Sequence, residues 1–104
     1  MLIFPLKKEW YEKIKSGEKT IEYREVKPYW DNRLNKEFDS YCLPLHRYGL
    51  VWDVNRTGTL HYCKLRLGYT NRYITANITR IEIVDGNGTD LHIDKPVYAI
   101  HLLM

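Results

Sequence analysis

Apolar and polar residues alternate along much of this chain with a period of two, which is typical of β-strands. The longest alternating stretch covers residues 73–84. Its apolar residues keep one phase up to Ile78 and the opposite phase from Ile81. A β-bulge or a sharp twist near Thr79 and Arg80 would reconcile the two phases; a bulge does so because it adds one residue to a strand. The pattern therefore predicts one long strand with an irregularity near these two residues.

Shorter stretches predict further strands at residues 2–6, 21–26 and 97–103, the last apolar enough to be a buried closing strand. We expect 97–103 to share a sheet with 2–6 or 21–26. Several short strands are expected between residues 39 and 69, with turns near 46–49 and 55–58.

A helical period replaces the alternation at residues 9–16, where Trp10 and Ile14 stand four apart. Acidic residues come early in this stretch and lysines late, and Gly17 follows as a stop signal. A short helical turn is also predicted at residues 28–34, because proline favours the first position of a helix.

One early helix followed by five or six strands, without repeated βαβ spacing, predicts an α+β fold built on a small mixed β-barrel. The 104 residues (12.5 kDa) fit one domain spanning 1–104. With 44% hydrophobic and 28% charged residues, the composition excludes disordered, collagen-like and coiled-coil chains.

Charge and targeting signals narrow the class of partner. A net charge of +3 permits a phosphate-bearing partner but is too small for a polycationic nucleic-acid coat protein. No apolar run is long enough for a signal peptide or a membrane span, and two cysteines make no disulfide framework. We therefore expect a cytoplasmic protein without a membrane partner; the oligomeric state stays open.

The strongest local feature is Gly17-x-Lys19-x-x-Glu22-x-Arg24. A helix end and a tight loop present Lys19, and the following strand presents Glu22 and Arg24 on one face. Lys19, as a loop residue, is expected to contribute little to stability. A salt-bridged surface in which Glu22 and Arg24 neutralise each other explains the pattern equally well.

This motif resembles the signature of the ASCH (activating signal cointegrator homology) domain, whose fold is similar to the PUA β-barrel. Two further stretches resemble small bacterial and phage members of that family: Lys27-Pro28-Tyr29-Trp30-x-x-Arg33-Leu34 and Leu67-Gly68-Tyr69-Thr70-Asn71. Residues 40–64 depart from the resemblance. The resemblance implies a PUA-like barrel with a cleft beside the early helix. The motif residues would line this cleft, which takes RNA, a nucleotide or a modified nucleoside. We expect no cofactor.

The residue types suit such a ligand. Lys19 and Arg24 can engage phosphate or carbonyl oxygens, and Glu22 can accept hydrogen bonds from a base edge. Four aromatic residues offer faces for base stacking, although such residues more often belong to a core: Tyr29, Trp30, Tyr69 and Tyr73.

A small hydrolase, either an amidohydrolase or a nuclease, is the alternative. One branch of small ASCH proteins resembles an amidohydrolase acting on acetylated cytidine, with a lysine, a threonine and a distant glutamate. Lys19 matches the lysine, Glu22 stands in the threonine's place, and Glu82 is a candidate for the glutamate. If the protein is an enzyme, Lys19 and Glu22 are its catalytic candidates, with Glu22 as general base for water. Whether it is an enzyme stays open.

Four residues raise the question of a metal site: Cys42, His46, His61 and Cys63. Zinc accepts such ligands, but this spacing matches no common zinc motif. We predict no metal site, with buried cysteines and surface histidines instead.

Overall fold

The computed structural model describes residues 1–38 and 48–104, which form a curled, mixed β-sheet with short helices beside it. The elements, in chain order, are β1 (Leu2–Leu6), α1 (Lys8–Lys15), β2 (Ile21–Glu25), α2 (Pro28–Phe38), β3 (Gly49–Asp53), α3 (Val54–Thr57), β4 (His61–Leu67), β5 (Tyr73–Asp85) and β6 (Pro96–Leu103).

The strands follow the order β1-β4-β5-β6-β2, and β3 pairs with β5. The β1–β4 pair is parallel, whereas the other pairs are antiparallel. The α+β class and a mixed sheet of five to six strands are therefore confirmed, as is the sharing of one sheet by the closing strand and residues 21–25. The sheet is a half-barrel, because β1 and β2 are its two ends and do not pair with each other.

The predicted bulge lies in β5. This strand is 13 residues long, and its register with β6 shifts between Ile78 and Arg80. Ile78 and Ile81 are consequently both fully buried, although they belong to opposite phases of the alternation. The predictions of one long strand and of an irregularity near Thr79 and Arg80 are confirmed.

Helix α2 is longer than predicted. It begins at Pro28 as expected but continues past Leu34 to Phe38. Trp30, Leu34 and Phe38 follow one another at four-residue intervals and are all buried, and the Phe38 ring packs 4.7 Å from that of Trp52. This third apolar residue, one turn beyond the predicted end, extends the buried face of the helix.

The turn predicted at 55–58 is a short helix, α3, which ends at Gly58 with a left-handed φ of 68°. The turn predicted at 46–49 lies mostly outside the described residues. None of the described helices is long and apolar enough to cross a membrane.

The core fills the concave side of the half-barrel. Alternate residues of β4 and β5, among them Cys63, Leu65 and Ala76, point to this side and pack against α1 and α2. Burial raises the pKa of the Cys63 thiol to about 12, and the nearby Glu22 carboxylate adds to the shift. Cys63 is therefore a small core residue and an unreactive thiol.

Cys63 should resist alkylation in the folded protein. In a Cys42→Ser variant, where Cys63 is the remaining thiol, about a thousandfold less thiolate is expected at about pH 8 than in the unfolded chain. Iodoacetamide labelling followed by mass spectrometry, with and without guanidinium, measures this difference. Equal labelling rates with and without guanidinium would contradict the placement of Cys63 in the core.

The Cys63 thiol also makes stability depend on pH. Because its folded-state pKa lies above the ordinary value of 9.0, this thiol lowers stability as pH rises from 9 towards 12.

Candidate functional site

Arg24 spans the gap between β1 and β2, the two edge strands of the sheet. We call this gap the seam. Arg24 Nη2 donates to the Pro5 carbonyl oxygen of β1 at 2.9 Å and to Glu22 Oε2 of β2 at 3.2 Å. The guanidinium also lies over two rings, with its Cζ 5.4 Å from the Phe4 centroid and 5.2 Å from that of Trp30. One side chain thus connects β1, β2 and α2.

Glu22 is a buried carboxylate on the core side of β2, since it pairs across the sheet with the buried Ile100. Its Oε1 accepts from the backbone N–H of Tyr23 at 3.0 Å, on the free edge of the strand. This bond satisfies an edge donor that no neighbouring strand reaches. Glu22 therefore replaces part of the missing strand pairing at the seam.

Lys19 reaches the same place from the loop between α1 and β2. Gly17 ends the helix with a φ of 85°, and the Lys19 backbone N–H then bonds back to the Lys13 carbonyl oxygen at 3.0 Å. The Lys19 ammonium lies 3.9 Å from Glu22 Oε1 and 4.9 Å from the Tyr23 ring centroid. Its side chain is only 9% exposed and lies between two carboxylates, so Lys19 is not the open surface residue that a loop position suggested.

Asp90 is the partner of Lys19 that the sequence did not reveal. Its carboxylate accepts a hydrogen bond from the Lys19 ammonium, across 71 residues of sequence. The loop that carries Asp90 is compact: the Thr89 hydroxyl donates to the Gly86 carbonyl oxygen at 2.8 Å. A Cβ on Gly86 would lie 2.6 Å from the Ile93 carbonyl oxygen, so only glycine fits there.

One cleft of about 560 Å³ lies at the seam, and its lining includes Lys19, Glu22, Arg24 and Asp90. Rings of Trp10, Tyr23 and Trp30 form part of its wall. Burial raises the pKa of the Tyr23 hydroxyl, and the Asp90 and Glu82 carboxylates raise it further, so Tyr23 offers a neutral O–H. The charged side chains that line the cleft are four cations and four carboxylates: Lys7, Lys19, Arg24, Lys27, Glu9, Glu22, Glu25 and Asp90.

The structure thus brings Lys19, Glu22 and Arg24 together. Of the predicted stacking residues, Trp30 lines the cleft but is only 6% exposed and stacks on Phe4, with ring centroids 5.3 Å apart. Tyr29 and Tyr69 are 53% and 90% exposed and lie outside the cleft lining. The Arg33 guanidinium covers the Tyr29 ring at 4.3 Å.

Glu82, the candidate for a distant glutamate, lies outside the cleft lining. Its Oε1 lies 2.7 Å from His101 Nε2 and 3.2 Å from Arg80 Nη2 on the outer side of the sheet. The distant carboxylate beside Lys19 is Asp90 instead.

Of the potential metal ligands, Cys42 and His46 lie outside the described residues. His61 and Cys63 share the core side of β4, where the His61 ring packs 4.4 Å from that of Phe38, so this histidine is not a surface residue as expected. Within residues 1–38 and 48–104, no three His, Cys, Asp or Glu side chains cluster as metal ligands.

Comparison of the chain with protein-family models, curated proteins and solved structures finds no match. The resemblance to the ASCH domain therefore rests on the sequence motif, and the site on its own geometry.

Replacing Arg24 should destabilise the folded protein, because Arg24 connects the two sides of the seam. Arg24→Gln removes the charge that compensates buried Glu22, so we expect the free energy of unfolding to fall by about 2–4 kcal/mol. Adding Glu22→Gln should recover part of this loss, because the unpaired carboxylate is then gone. Chemical denaturation of the single and double variants measures both effects.

Arg33→Gln is the matched control, since Arg33 is exposed and contacts only the Tyr29 ring among the described contacts. It should change stability by about 0.5 kcal/mol or less. An Arg24→Gln variant as stable as this control would contradict the role of Arg24.

Proposed function

We propose that this protein is an ASCH-like domain of PUA-like architecture that binds a nucleotide-like ligand in the cleft. The ligand class is RNA or a modified nucleoside, held by Lys19, Glu22 and Arg24. The observation that carries the proposal is the convergence of these three side chains in one cleft, beside the early helix that the resemblance implies. A volume of about 560 Å³ falls within the range of small-molecule pockets.

Charge balance indicates which part of the ligand enters. Because four cations face four carboxylates, the cleft offers little net attraction for a phosphate chain. Lys19 and Arg24 are already engaged by Asp90 and Glu22, and such fixed pairs present donors and acceptors side by side. The edge of a base carries the same mixture of donors and acceptors. We therefore favour a nucleoside, or a single base of an RNA, over the phosphate backbone.

The aromatic wall supports the same choice. Trp10 is half-buried beside Lys19, whose ammonium lies 5.4 Å from its ring centroid. A base that enters the cleft can stack on this ring while its edge meets the polar pairs.

Titration of the protein with nucleosides tests the proposal. We expect calorimetry to detect binding of at least one modified or ordinary nucleoside, and Trp10→Ala to weaken it about fivefold or more through lost stacking. The corresponding monophosphate should bind within about tenfold of the nucleoside, because the cleft is balanced in charge.

Tyr48→Ala is the control, because Tyr48 is an exposed ring directly before β3, outside the cleft lining. It should leave the affinity unchanged. Absence of nucleoside binding, or equal losses in both variants, would contradict the proposal.

Amide hydrolysis on a modified nucleoside is the second candidate, and the Lys19–Asp90 pair favours it. This pair supplies two of the three groups of that amidohydrolase branch, a lysine and a distant carboxylate, with an aspartate where that branch has a glutamate and with Glu22 in the place of its threonine. Both Glu22 oxygens already accept hydrogen bonds, from Tyr23 and Arg24, so Asp90 is the better candidate for a general base.

Incubation with acetylated cytidine, followed by chromatography for cytidine, tests the activity. We expect Asp90→Asn to remove it while nucleoside binding persists. If wild-type protein binds the nucleoside without releasing cytidine, the protein is a binding module.

A further inference from the structure

The outer side of β4 and of the first residues of β5, which the cleft does not include, carries a second set of cationic and aromatic side chains. Tyr62, Lys64 and Arg66 alternate along β4 with the buried Cys63 and Leu65, and so point away from the core. Across the sheet, Lys64 pairs with Thr75, and Arg66 pairs with Tyr73. We call the five residues Tyr62, Lys64, Arg66, Tyr73 and Thr75 the outer face.

The outer face lies in a part of the chain without carboxylates. Residues 54–81 contain five Lys or Arg and no Asp or Glu, so the remaining residues have a net charge of −2. The net charge of +3 is therefore unevenly distributed along the sequence, although one of the five cations, Arg80, contacts Glu82 just beyond the segment. Because no carboxylate from this segment neutralises Lys64 and Arg66, the outer face differs in kind from the balanced cleft.

Two tyrosine rings stand beside these cations. Tyr62 and Tyr73 are 45% and 48% exposed, and Lys64 Nζ lies 4.4 Å from the Tyr73 ring centroid. Residues two apart on a strand are separated by about 6.6 Å, so the rings and cations form a repeating polar and aromatic surface. Sheet surfaces that combine exposed rings with cations bind roughly two or three unstacked bases.

We propose that the outer face binds single-stranded RNA, with Tyr62 and Tyr73 stacking on bases and Lys64 and Arg66 contacting phosphates. Charge complementarity favours this partner over a second copy of the chain, because two such faces would bring four cations together without a carboxylate. A flat sheet face with rings also fits splayed bases better than a duplex, whose bases are already stacked. Thr75 is exposed opposite Lys64, and its hydroxyl can bond a 2′-hydroxyl, which DNA lacks. This proposal is independent of the cleft.

Fluorescence anisotropy with a short labelled single-stranded RNA of mixed sequence tests the proposal. Lys64→Glu should weaken binding about tenfold or more, because a charge-assisted contact is replaced by repulsion. Tyr73→Ser should weaken it about fivefold or more. Loss of the Lys64 contact should also reduce the slope of log affinity against log salt by about 0.7.

Two matched controls lie away from the outer face. Lys36→Glu makes the same charge reversal at an exposed position of α2, and Tyr48→Ser removes a ring that is 64% exposed. Both should leave RNA affinity within about twofold. Single-stranded DNA of the same sequence should bind more weakly, and duplex RNA should bind most weakly.

Several outcomes would overturn the proposal. These are no RNA binding, equal losses in the outer-face and control variants, tighter binding of DNA or duplex, and loss of binding in Trp10→Ala but not in Lys64→Glu. Light scattering adds one more: a dimer that Tyr73→Ser dissociates would assign the outer face to a second copy. Circular dichroism of each variant verifies that it is folded.

Discussion

Two strand edges that do not pair with each other, those of β1 and β2, impose the main constraint on this fold. A free edge exposes backbone donors and acceptors that must find other partners. Pro5 removes one donor from the β1 edge, and its carbonyl oxygen accepts from Arg24. On the β2 edge, Glu22 accepts from the Tyr23 backbone. Because side chains replace strand pairing, the sheet stays open at the seam, and the opening is the cleft.

The charged side chains at the seam need partners of opposite charge, because they are removed from water. Moving a carboxylate or an ammonium out of water is costly unless it is paired, so Lys19, Glu22, Arg24 and Asp90 depend on one another. They come from β2, from the loop after α1 and from the loop after β5, and the network therefore joins segments distant in sequence. The sequence left two interpretations open, a salt-bridged surface or a ligand site. Glu22 and Arg24 do pair, and they do so at the wall of a cleft.

Local patterns were sufficient to predict elements whose determinants are close in sequence. The phase change between Ile78 and Ile81 predicted the bulge in β5, because a change of phase within a strand has few other physical solutions. The length of α2 was underestimated because Phe38 is a single apolar residue one turn beyond Leu34. Asp90 was missed because no periodicity connects it to Lys19; only the compact loop around Gly86 brings it there. For aromatic residues, the sequence gives no means to distinguish the buried Trp30 from the exposed Tyr69.

The same alternation that builds the core also separates two kinds of polar surface. On β4, every second residue is apolar and buried, so Lys64 and Arg66 are held on the opposite side with the rings of Tyr62 and Tyr73. On β2, alternation instead turns Glu22 and Arg24 towards the core, where they must be neutralised. A neutralised, enclosed site selects ligands by the geometry of hydrogen bonds, whereas an open cationic face attracts them by net charge. We therefore propose different recognition at the two surfaces: hydrogen-bond geometry for a base at the seam, and net positive charge for a separate RNA strand on the outer face.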